Sequence, residues 1–194
     1  MEQVRSFIAI ELPEEVKAGL SQLQSCLKSG TQTYVKWVDP NSVHLTLKFL
    51  GDIAVNKIGD ITKAMEAAVQ GVPPFQLELN DLGVFPNLKR VQVAWVGLSG
   101  EIDKLKLLQQ RIESELAPLG FAPENRPFTP HLTLARLRES ASPRERQEFG
   151  QLFTSAKLEV TRPMKVDSLS LMRSQLTPGG AIYSQLSSVG LKGC

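Results

Sequence analysis

The tetrapeptide His-Leu-Thr-Leu occurs twice in this 194-residue chain, at 44–47 and 131–134, and accounts for both of its histidines. The alternation inside each copy is that of a strand with one buried face. The succession of elements after each copy also repeats. After His44, Ile58, Ile61, Met65 and Ala68 recur at helical spacing, Phe75-Leu77-Leu79 and Val91-Val93-Trp95 alternate as strands, and 85–90 forms a loop between them. After His131, a polar helix over 143–153 precedes strands over 158–160, 166–172 and 181–189, with Thr177-Pro178-Gly179-Gly180 as the loop before the last. A chain built this way is expected to be one domain over 1–194 with an internal duplication. Halves packed about a pseudo-two-fold axis bring the two histidines face to face across a cleft.

Upstream of the first copy, 5–11 reads as a short buried strand. Pro13 opens a helix whose stripe is Val16, Leu20, Leu23 and Leu27, ended by Ser29-Gly30-Thr31. Residues 34–38 read as a strand, Asp39-Pro40-Asn41 as a turn, and 43–50 as the strand carrying the motif, closed by Gly51-Asp52. Before the second copy, Ile102, Leu105, Leu108, Ile112, Leu116 and Leu119 form the longest helical stripe, and 127–137 reads as its strand.

Within each motif strand, side-chain parity divides the residues. His44, Thr46 and Lys48 share one face, with Val43, Leu45, Leu47 and Phe49 on the other; Thr129, His131 and Thr133 share a face opposite Leu132 and Leu134. An imidazole titrates near neutrality, so of two rings one can hold a proton while the other accepts one. That is the acid–base pair a phosphodiester requires, and threonine hydroxyls two residues on can donate to the phosphate oxygens as their charge grows. The scheme needs no metal. The two histidines also lack the further His, Cys or carboxylate ligands, at suitable spacing, that a metal site needs.

Composition narrows the partners. With 42% hydrophobic residues and 22% charged, the chain can build an ordinary core. A formal net charge of +2 is too small for coating duplex nucleic acid through many phosphate contacts, so any such contact is expected to be local. The arginines at 136, 138, 144 and 146 are interrupted by Glu139 and Glu145 and read as a solvated surface. The N-terminal apolar run Phe7-Ile8-Ala9-Ile10 is too short for a signal-peptide core, and no stretch reaches a membrane span. Cys26 and Cys194 form neither a disulfide framework nor a metal-ligand pattern. A cytoplasmic protein without membrane contact, a monomer, is expected.

Beyond HLTL itself, the runs FIAIELP at 7–13, HLTLKFLG at 44–51, RPFTPHLTLAR at 126–136 and LTPGGAIY at 176–183 closely resemble the two-histidine phosphoesterases with paired HxTx motifs. In particular they resemble the RNA 2′,3′-cyclic phosphodiesterases, also called 2′-5′ RNA ligases. The resemblance implies a bilobal α+β fold, two pseudo-symmetric lobes each with an antiparallel sheet and outer helices around a central cleft. It implies metal-free, cofactor-free hydrolysis of a terminal RNA 2′,3′-cyclic phosphate to a 2′-phosphomonoester, with tRNA fragments among the substrates, and reversible 2′-5′ joining of RNA ends. Carried onto this sequence, His44 is the proton donor, His131 the acceptor, and Thr46 and Thr133 hold the phosphate. Pseudo-symmetry leaves the donor and acceptor roles interchangeable until a substrate pose is known.

Lys48 and Arg126 are candidate phosphate contacts, and Tyr183 a candidate for stacking a base. For Phe49 and Trp37, parity and the apolar strand favour core packing. Two other readings remain: a phosphodiesterase acting on 2′-5′ oligonucleotides or small cyclic nucleotide phosphates, and an RNA-end binding protein without turnover. Product analysis on each substrate class separates them.

Overall fold

The computed structural model describes residues 1–28, 32–159 and 163–194. The sequence-based helix end at 29–31 and the last residue of the expected strand at 158–160 lie outside these. The chain runs β1 (Gln3–Glu11), α1 (Glu14–Leu27), β2 (Val35–Trp37), β3 (His44–Ala54), α2 (Ile58–Val69), β4 (Phe75–Phe85), β5 (Val93–Gly100), α3 (Ile102–Leu116), β6 (His131–Leu137), α4 (Pro143–Ser155), β7 (Met164–Val166), β8 (Ser168–Thr177) and β9 (Gly180–Gly190). Residues 157–159 are not a strand, and the strand expected over 166–172 is divided between β7 and β8.

Two antiparallel sheets result, one ordered β3-β1-β8-β9 and the other β2-β6-β5-β4-β7. The order β-α-β-α-β occurs twice, as β1-α1-β3-α2-β4 and β5-α3-β6-α4-β8, with β2 and β7 as short additions and β9 as a final hairpin strand. The sheets do not coincide with the sequence halves. β4 leaves the first unit to pair with β5, and β8 leaves the second to pair with β1. Each sheet therefore takes in a strand of the other unit, β8 in the first and β4 in the second.

The helices follow from their stripes. Val16, Leu20, Leu23 and Leu27 of α1, Ile61, Met65 and Ala68 of α2, and Leu105, Leu108, Ile112 and Leu116 of α3 are buried in one continuous core with the inner faces of both sheets. Helix α4 begins at a capping box in which Ser142 Oγ accepts from the Glu145 N–H and Glu145 Oε2 accepts from the Ser142 N–H. Such reciprocal bonds satisfy two otherwise unpaired donors. Arg146 is no solvated charge: its guanidinium donates to the carbonyls of Val91, Arg138 and Ala141 and ties α4 to the β5–β6 edge.

A short connection joins the motif strands. The Val38 N–H donates to the Leu134 carbonyl inside the second HLTL at 2.9 Å, and a single 3-10 turn at Pro40–Ser42 then leads to His44. The buried Gln24 side chain on α1 donates to both carbonyls, Val38 at 2.7 Å and Leu134 at 3.2 Å. β3 and β6 consequently lie close together.

Candidate active site

Each motif strand contains a bulge at the same place. Between the pairs Ala9↔Thr46 and Ile8↔Lys48, Leu47 is the extra residue; between Trp95↔Thr133 and Ala94↔Ala135, Leu134 is. A bulge puts two residues opposite one and shifts the alternation by one position. Up to the threonine, parity holds, and His44 and Thr46 lie on the face away from the main core, as do His131 and Thr133 on theirs. Beyond it, parity inverts.

Two expectations are corrected by this inversion. Lys48 is not on the histidine face. Its side chain enters the core, only 7% exposed, where Nζ lies 2.6 Å from Glu113 Oε2 on α3 and donates to the Ala122 carbonyl at 2.9 Å. Phe49, expected in the core, is instead 74% exposed on the histidine face, its ring 6.1 Å from that of Phe7.

The two imidazoles sit in aromatic frames of different composition. The His44 ring meets the edges of Tyr183 at 5.0 Å and Phe7 at 5.6 Å between centroids, and Phe7, Ala9, Met172 and Tyr183 form a small cluster of their own on this face. His131 stands at 5.1 Å and 89° to Phe85 and 6.3 Å from Trp95. Trp95 lies flat across β4 where a side chain at Gly83 would stand: a Cβ there would come within 2.3 Å of the indole. Glycine at 83 is what admits the ring.

Backbone carbonyls orient both rings. His131 Nδ1 is 2.7 Å from the Thr129 carbonyl two residues back. A carbonyl only accepts, so Nδ1 carries the proton and Nε2 of the neutral ring is the free acceptor. His44 has the corresponding backbone partner in Ser42, also two residues back. Burial lowers the pKa of His44 below the ordinary 6.5, opposed by the Glu11 carboxylate and the Ser42 bond and assisted by Lys17.

Beside His44 a pocket of about 370 Å³ is lined by polar groups including Glu11, Lys17, Asn41, Tyr183 and Gln185. Of the remaining sequence candidates, Tyr183 is thus brought to His44. Arg126 lies exposed in the bend before β6, its peptide N–H donating to Glu124 at 3.4 Å. Sequence reading missed Glu11, Phe7, Phe85 and Trp95 as members of the site. Glu11 and Phe7 fall inside the FIAIELP run, which was the available signal.

The family model of the 2′-5′ RNA ligase superfamily matches residues 7–178. The chain belongs to that superfamily. A Methanothermobacter thermautotrophicus relative named RNA 2′,3′-cyclic phosphodiesterase is 35% identical to this superfamily member over 184 residues, covering 95% of this chain and 97% of the relative. One of the same name from Aquifex aeolicus is 29% identical over 95% of each chain. Among solved structures, a Thermus thermophilus protein aligns with a TM-score of 0.78 at 29% identity, over 97% of this chain and 98% of that one. E. coli LigT complexed with 3′-AMP aligns at 0.76 and 25% identity, over 98% and 99%. The α+β fold with two antiparallel sheets is that of these proteins. No helix among the described residues is long and apolar enough to cross a membrane.

Proposed function

We propose that this protein is an RNA 2′,3′-cyclic phosphodiesterase that opens the terminal cyclic phosphate to a 2′-phosphomonoester by acid–base catalysis between His44 and His131. One observation carries the reading: two strands that lie close together each present an imidazole with a threonine beside it and a backbone carbonyl orienting the ring. The names of the full-length relatives support the substrate class.

In this reading His131 Nε2 takes a proton from water as its oxygen attacks phosphorus. His44 gives a proton to O3′ as the P–O3′ bond breaks, and the P–O2′ bond survives. The 2′-phosphate leaves with His131 charged and His44 neutral, and solvent exchange resets both. Thr46 and Thr133 donate to the non-bridging oxygens, where charge builds up. With an RNA 5′-hydroxyl in place of water, the same step retains P–O2′ and forms a 2′-5′ linkage, which accounts for reversible ligation. Tyr183 edges the nucleoside, and Arg126 reaches the RNA backbone. The 194 residues act as one unit built by duplication, in the cytoplasm, on RNA ends that include tRNA fragments.

The deciding experiment incubates the protein with RNA ending in a 2′,3′-cyclic phosphate and identifies the product. A 2′-phosphomonoester is expected, and its absence overturns the reading. Because the scheme draws all its proton transfers from two side chains, the rate is expected to persist in excess EDTA. Loss of activity restored by a divalent ion defeats the metal-free scheme.

The pH dependence follows from the same pair. kcat/KM is expected to be bell-shaped, falling in acid as the base ring is protonated and in alkali as the acid ring loses its proton. Its apparent pKa values belong to the pair. Because burial disfavours the charged form of His44, which is the acid here, the alkaline fall should begin at lower pH than an ordinary imidazole would give. A rate rising steadily to high pH contradicts this scheme.

A further inference from the structure

The two motifs are alike in sequence, in the bulge and in the carbonyl two residues back, yet not in what stands across the strand. Opposite His44 in the β1–β3 register is Glu11; opposite His131 in the β5–β6 register is Gly97. Directly opposed residues of an antiparallel pair put their Cβ atoms about 4.5–5.5 Å apart on one face. His44 thus has a carboxylate as its cross-strand neighbour, and His131 has no side chain there at all. A Cβ on Gly97 would lie 3.2 Å from Trp95 Cζ3, so an aromatic ring bounds that place instead of a charge.

Glu11 is held rather than loose. Its Oε2 accepts from Ser170 Oγ at 2.7 Å and from Gln185 Nε2 at 2.8 Å, and Gln185 Nε2 also bonds Ser170 Oγ at 3.0 Å. Ser170, opposite Ala9 on β8, and Gln185, opposite Met172 on β9, lie on the same face of the sheet as Glu11. The carboxylate and the imidazole line the same pocket.

Resting on the proposed function, we infer that Glu11 is the positioning residue that breaks the symmetry of the pair, assigning His44 the acid's role and leaving His131 the base. An imidazolium forms beside Glu11 with a fixed negative charge to face, whereas at Gly97 it forms beside an indole. The other charged or titratable groups around His44 do not supply this. Lys17 on α1 opposes the charged ring and is paired with Glu14 at 3.4 Å; Asp39 accepts from the Asn41 N–H at 2.9 Å; Tyr183 on β9 meets the ring edge-on. Burial of the ring lowers its pKa, and Glu11 is the largest opposing influence.

The test is Glu11→Gln, which keeps the size and an oxygen for Ser170 and Gln185 while removing the charge, with Glu11→Asp as the conservative variant. An opposite charge within about 4–6 Å shifts a pKa by about 1–3 units, at the low end for half-exposed groups. In Glu11→Gln the NMR titration of His44 should therefore move to lower pH, with that of His131 in place. kcat/KM on cyclic-phosphate RNA should fall about tenfold, because one unit is a factor of ten in the protonated fraction of the acid. KM should not rise, and Glu11→Asp should restore most of the rate.

The sign discriminates between the two assignments. If His44 is the base, lowering its pKa leaves the rate unchanged or raises it, and the inference is overturned. It is equally overturned if the His44 titration ignores Glu11. The NMR arm uses no substrate: a protein inert on cyclic-phosphate ends that keeps the Glu11-dependent titration fails the functional reading and, with it, the acid assignment, while the electrostatic coupling stands.

Discussion

His44→Ala and His131→Ala are each expected to lose about 10²–10⁴-fold in kcat, the range of a general acid or base. The double variant should be little worse than the poorer single. If the two rings transfer protons in one transition state, removing either leaves the other without a productive step, and residues that act as a unit are strongly non-additive. Thr46→Val and Thr133→Val should cost less, and should leave the pH optimum near its place because they remove donors and no titrating group. Single-turnover rates on cyclic-phosphate RNA with all five proteins check this. A histidine variant with near-normal turnover, or a double loss equal to the product of the singles, means that the rings work separately.

Lys48→Met is expected to destabilise the fold by about 3–5 kcal/mol, the cost of leaving one member of a buried ion pair alone. Lys48 and Glu113 have side chains only 6% and 15% exposed, and Gln109 Nε2 donates to the other Glu113 oxygen at 3.1 Å, so the carboxylate has little access to water. The pair joins β3 to α3, and through the Ala122 carbonyl to the segment leading into β6. Replacing both members, Lys48→Met with Glu113→Leu, removes both desolvation penalties and should recover most of the loss. Urea unfolding of both variants beside the parent protein measures this. A single variant within about 1 kcal/mol of the parent protein would show that the pair is solvated.

Much of the fold was legible because it depends on local pattern. The stripes of α1, α2 and α3 are helical wherever the chain places them, and their apolar faces demand a core. His44, Thr46, His131 and Thr133 alternate with buried leucines, so their common faces could be read from parity. Tyr183 could be flagged by its loop, although its edge contact with His44 depends on β9 folding back beside β8. Residues 158–159 of the expected strand are not extended into a sheet for a physical reason: a short apolar segment becomes a strand only if a partner edge is free, and it is β7, a few residues later, that pairs with β4.

What the sequence by itself determined is the chemistry: two identical imidazole–hydroxyl pairs on half-buried strands, two like successions of elements, and a family with a reaction that fits them. The tertiary structure decided which neighbours those pairs have. Hydrogen-bond registry between strands far apart in sequence set the bulges at Leu47 and Leu134, and those turned Lys48 into the core and Phe49 out of it. The same registry set Glu11 opposite His44 and Gly97 opposite His131. Parity is a property of one strand, whereas a bulge and a cross-strand neighbour are properties of two, so neither could be read from one segment of sequence.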